Sequence, residues 1–132
     1  MLESMPQEIE VRYILPAIRR ELAGILIKDH KLSQKESAAI MGLTEAAISQ
    51  YKHSKRAKDV LFTNDVISEI RKSAEKILSE KNNRHRYMAE MNRISALTKV
   101  KKVLCDLHRK QSKELSTCNV CFEENLLSIK SD

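Results

Sequence analysis

Tryptophan is absent from this chain of 132 residues, glycine and proline occur twice each, and aromatics make up 4%. Blocks rich in Val, Ile, Thr and aromatics, the usual material of strands, are missing too. The composition therefore favours helices. No apolar run approaches the roughly 20 residues that span a bilayer, so no membrane partner is expected. The opening, MLESMPQEIE, is acidic and polar, unlike a signal peptide. Cysteine is absent up to residue 104, and three follow. An odd count confined to one end argues against a secreted disulfide framework. It points to metal or redox chemistry inside a cell, hence a cytoplasmic location. The marks of an enzyme are missing as well: a phosphate-cradling Gly loop, paired carboxylates in a pocket pattern, a nucleophile with its base. No catalytic activity is expected.

What the chain does have is charge. Asp, Glu, Lys and Arg make up 32% of it, with a net charge of +6 and an isoelectric point near 9.3. A basic surface gains free energy on a polyanion by releasing phosphate counterions. A soluble surface that is merely basic has the same composition, so charge alone does not choose.

Apolar spacing lays out the elements. Val11, Ile14, Leu15, Ile18, Leu22, Ile25 and Leu26 predict a helix over residues 7–29, kinked or starting late at Pro16. A connector at 57–63 leads to a helix capped by Thr63 or Asn64 and running to about Lys81. Its inward positions are Val66, Ile67, Ile70, Ala74, Ile77 and Leu78. The polar run KNNRHR at 81–86 breaks the pattern. A long helix over 87–113 then carries a stripe of Met88, Met91, Ile94, Leu97, Val100 and Leu104. That spacing suits packing within the chain, and it also suits a coiled-coil seam with a second copy.

The most specific stretch is LSQKESAAIMGLTEAAISQYKHSKR, residues 32–56. Ser33 followed three residues later by Glu36 predicts a capping box. Gly42 supplies a helix stop, where positive φ is cheap only for glycine. Thr44 then caps a second helix. Ala38 is small where two helices must approach, Leu43 is apolar in the turn, Ile48 should plug the angle between them, and Tyr51 should close the far end. Two helices joined by about three residues have helix-turn-helix spacing.

This stretch resembles the helix-turn-helix of the lambda-repressor/Cro-type (XRE-like) DNA-binding domains, most closely in its Leu-Ser-Gln opening and Ile-Ser-Gln-Tyr segment. More loosely, the whole chain resembles small archaeal predicted transcriptional regulators with a Cys-bearing tail. The resemblance implies an all-α fold: a lambda-repressor-like bundle over 7–82 (motif 33–53), then a dimerisation helix and Cys/His tail over 83–132. In such domains the second motif helix enters the major groove. The outward residues there are Thr44, Glu45, Ala46, Ser49, Gln50 and His53. Ser49 and Gln50 suit base reading, since Gln can bond adenine in pairs, and Glu45 could accept from cytosine. Gln34 and the amides of its helix start should touch phosphate. Lys52, Lys55, Arg56 and Lys58 lie where that helix would leave the groove and meet the backbone.

The tail reads CDLHRKQSKELSTCNVC: Cys105 and His108, then nine residues, then Cys118 and Cys121. Two close pairs of soft or borderline ligands suit tetrahedral zinc. An iron–sulfur cluster is less suited, because His108 stands where such clusters usually take Cys. A redox dithiol at Cys118 and Cys121, or plain apolar cysteines, fit the same spacing. The expected function is a sequence-specific, homodimeric regulator of transcription acting on double-stranded DNA, responsive to metal or redox state through its tail. The rival is a helical protein-interaction module or thiol redox protein that binds no DNA.

Overall fold

In a computed structural model the described residues are 5–54, 57–58 and 60–100. They are all-helical, with no strand among them. Helix α1 runs without interruption through three stretches: Pro6–Ile9, a wider π turn at Glu10–Ile14, and Leu15–Lys28. Then come α2 (Gln34–Met41), α3 (Glu45–His53), α4 (Asn64–Ser79) and α5 (Arg84–Val100). No helix among the described residues is long and apolar enough to cross a membrane.

Pro16 does not delay the start of α1, which begins at Pro6. Proline cannot donate a backbone hydrogen bond, and its ring crowds the carbonyl four residues before it. The helix answers by widening just upstream, where the Leu15 amide donates to the Glu10 carbonyl one residue beyond the usual partner. Such single-turn bulges absorb a local misfit without ending a helix.

The Leu15–Lys28 stretch is the hub, in contact with all four later helices. Ile18, Leu22 and Leu26 point from it into a shared core with Met41, Ile48, Val66, Ile70, Ile77 and Ile94. The expected inward positions of α4 divide. Val66, Ile70, Ala74 and Ile77 are buried, while Ile67 and Leu78 are only partly covered.

The α5 stripe departs further from its expectation. Met91 and Ile94 are buried in the chain's own core, which removes them from any seam with a second copy. Met88 is instead 65% exposed, and Val11 of the π turn is 63% exposed. Both were expected inward. The apolar stripe on each helix is broader than the face its neighbours cover. Leu104 lies outside the described residues. The helix also begins at Arg84 rather than Tyr87, because Asn83 caps it: its Oδ1 accepts from the Arg86 amide at 3.2 Å.

One polar network ties α4 to α5. Glu90 is 4% exposed, and its Oε1 accepts from Ser73 Oγ at 2.8 Å and from Arg93 Nε at 3.2 Å. Arg93 Nη2 donates to Ser73 Oγ at 2.7 Å. Burial pushes the Glu90 carboxyl up, but the Ser73 hydroxyl, Arg93 and Lys76 together outweigh it and leave it below the usual carboxylate value. A buried charge is tolerated here because it is both paired and hydrogen-bonded.

Candidate nucleic-acid interface

The pair α2–α3 is built by its own sequence. Ser33 Oγ accepts from the Glu36 amide at 3.0 Å, and the Ser33 amide donates to Glu36 Oε1 at 3.0 Å. This reciprocal box satisfies two amides that a helix start would leave open. The Ser33 amide, then its hydroxyl, hold the Glu36 carboxyl below its ordinary value. Gly42 ends α2 at φ +68° and ψ 31°, and the Leu43 amide reaches back to the Ala38 carbonyl at 2.8 Å. Thr44 starts α3, its Oγ1 accepting from the Ala47 amide at 3.1 Å.

Packing then sets the angle. Ala38 and Met41 of α2 are buried, and Ile48 of α3 is wholly enclosed at 0% exposure. Gln34 spans the pair, donating from Nε2 to the Glu45 backbone carbonyl at 3.0 Å. At the far end Tyr51 accepts from Arg19 Nη1 at 3.1 Å, and the Arg19 guanidinium carbon lies 5.7 Å from the Tyr51 ring centre. So α3 is held to α1 by a hydrogen bond and a cation–π contact as well as by Ile48.

This leaves a distinct outer face. Thr44, Glu45, Ala46, Gln50 and His53 are exposed, while Ser49 and Lys52 are partly covered. Two expected contact residues are already engaged: the Thr44 hydroxyl in its cap and the Gln34 amide nitrogen on Glu45. The Gln50 side chain takes part in no hydrogen bond among the described residues. Lys58 is exposed beyond α3; Lys55 and Arg56 lie outside the described residues. So do Cys105, His108, Cys118 and Cys121. Among the described residues no three His, Cys, Asp or Glu side chains gather where a metal could sit.

Two features were not legible in the sequence. Arg84, at the start of α5, lays its guanidinium against Gly42, where an added Cβ would collide with it. Between α1 and α5 a groove of about 540 Å³ is lined by Leu15, Arg19, Tyr87, Met88 and Met91 among others. The Tyr87 hydroxyl is buried without a well-formed hydrogen bond. Burial raises its pKa, with Arg19 opposing, so it stays protonated. No signal marks either feature in advance, since both join residues more than forty apart in the chain. No protein-family model, curated protein or solved structure matches the chain.

Proposed function

We propose that this protein is a sequence-specific DNA-binding regulator of transcription, with α2 and α3 acting as a lambda-repressor-like helix-turn-helix. One observation carries the reading. The capped start of α3 and its face of Thr44, Glu45, Ala46 and Gln50 stand clear of the protein, while Ile48 anchors the opposite face in the core. A helix entering the major groove needs that division, with its first turns free to meet base edges. Gln50 is the proposed base reader, and Ser49 lies beside it. The amides at the start of α2, with Lys52 and Lys58 beyond α3, are the proposed backbone contacts. In this reading Gln34 holds the two helices together through Glu45 and supports the phosphate contact with its neighbouring amides.

The experiment is selection of a binding site from random duplexes, followed by Gln50→Ala. The substitution should cost about 1–3 kcal/mol on the selected site and little on mixed-sequence DNA. Equal losses on both would remove Gln50 from base reading. Absence of any DNA binding at low salt would favour the second reading, a protein-interaction module. That reading has its own observation: Val11 and Met88 are exposed, and Met88 lines the groove between α1 and α5. In the DNA-binding reading the same face is the proposed contact between two copies on a two-fold symmetric site. Cys105, His108, Cys118 and Cys121 are proposed to hold zinc and to make the regulator responsive to metal or redox state.

A further inference from the structure

On α4 and α5 four cations are paired with acids: Arg71 with Asp29, Lys72 with Glu69, Arg86 with Glu80 and Glu90, Arg93 with Glu69 and Glu90, whereas Lys76 of α4 is in no ion pair among the described residues. In the turn between those helices, Lys81, Arg84 and His85 are exposed and in no ion pair among the described residues. This turn is not remote from α2 and α3. The Arg84 guanidinium rests on Gly42, two residues before the cap of α3, and Lys81 acts electrostatically on Glu36 in the first turn of α2.

We propose that the turn over residues 81–85 is a second phosphate-binding surface, in which Arg84 and Lys81 grip the DNA backbone beside the start of α3. The inference rests on the DNA-binding reading and extends it to an element outside α2 and α3.

Two physical arguments support it. First, the cations are placed against their own helix. Arg84, His85 and Arg86 occupy the first turn of α5, which holds no acidic residue. The positive end of the helix dipole disfavours cations there and favours an anion. Arg86 is neutralised by Glu80 and Glu90; Arg84 and His85 are not. A phosphate at this point would relieve the repulsion and also meet the dipole. Second, Arg84 is partly pre-positioned. Its guanidinium lies on the one residue of the α2–α3 turn without a side chain, so binding would immobilise less of it. Residues Ser79 to His85 also line an open hollow of about 700 Å³ with Lys81, Arg84 and His85 around it. Glu36 tempers Lys81 but is held in its cap by Ser33.

The test measures affinity for a short mixed-sequence duplex by fluorescence anisotropy across a salt series. Wild type is compared with Lys81→Ala, Lys81→Ala/Arg84→Ala and Arg84→Lys, and with Lys72→Ala as a paired-cation control. Each phosphate contact contributes about 0.9 to the slope of log K against log salt. The single Lys81 variant should flatten the slope by about 0.9 and the double variant by about 1.8. Arg84→Lys should keep most of the slope, and Lys72→Ala should match wild type. Lys81 is exposed, so its variant keeps the fold, and circular dichroism melts check the Arg84 variants. Folded variants with the wild-type slope would overturn the inference while leaving DNA binding by α2 and α3 standing. A wild-type chain that ignores the duplex at low salt would overturn both.

Discussion

The same substitution at the two glycines of this chain should change stability in opposite directions. Gly24 lies inside the Leu15–Lys28 stretch of α1, and a Cβ added there meets nothing within 4 Å. Alanine at that site should stabilise by about 0.5–1 kcal/mol, because glycine in a helix interior costs that much in backbone entropy. Gly42 sits at φ +68°. An L-residue in that region costs roughly 1–2 kcal/mol, and the new Cβ would also strike the Arg84 guanidinium. The guanidinium is the far end of a flexible, exposed side chain, so its displacement adds no more than about 1 kcal/mol of rotamer strain. The backbone term is therefore the larger. Gly24→Ala and Gly42→Ala should differ by about 1.5–4 kcal/mol, or roughly 6–16 °C in Tm at about 4 °C per kcal/mol. Urea and thermal unfolding followed by circular dichroism measure this. Gly42→Asn separates the two causes, since asparagine tolerates positive φ yet carries the same Cβ. It should lose much less than Gly42→Ala. If Gly42→Ala unfolds within a few tenths of a kcal/mol of wild type, the turn does not require the left-handed conformation and the account of α2–α3 geometry fails.

Three further outcomes are expected. Glu90 has a folded pKa below its ordinary value, so its contribution is complete above the unfolded carboxylate range near 4.3 and is lost as pH falls through the folded value. Glu90→Gln should cost roughly 1–3 kcal/mol at neutral pH and flatten the acid limb of a stability–pH curve; an unchanged limb would place the acid sensitivity elsewhere. Lys31 closes the C-terminal end of α1 at φ 56°, with the Leu32 amide reaching back to the Leu26 carbonyl at 3.1 Å. Lys31→Gly relieves that conformation and should raise stability by about 0.5–1 kcal/mol, read from urea unfolding. Protein purified without oxygen should carry about one zinc per chain, lost on replacing Cys118 and Cys121. A brown, iron-containing product would exchange zinc for a cluster, and no metal at all would limit the tail to thiol chemistry.

The sequence by itself determined what neighbours in the chain decide. The Ser33–Glu36 box, the stop at Gly42, the Thr44 cap and the burial of Ile48 each depend on residues within one or two helical turns, so spacing reveals them. The identity of the exposed face of α3 followed from the same period. Tertiary structure alone decided the pairings across the chain. Gln34 turns to the Glu45 carbonyl, Arg19 takes Tyr51, and Arg84 settles on Gly42. It decided which apolar residues stay outside as well. Val11 and Met88 satisfy the helical period but stay mostly exposed, because a stripe marks only where packing is possible. Glu90 is the converse, a charged residue buried because Ser73 and Arg93 meet it from two helices. Local bonds are encoded by what lies next to them, whereas these contacts exist only once α1 has gathered the other helices around it.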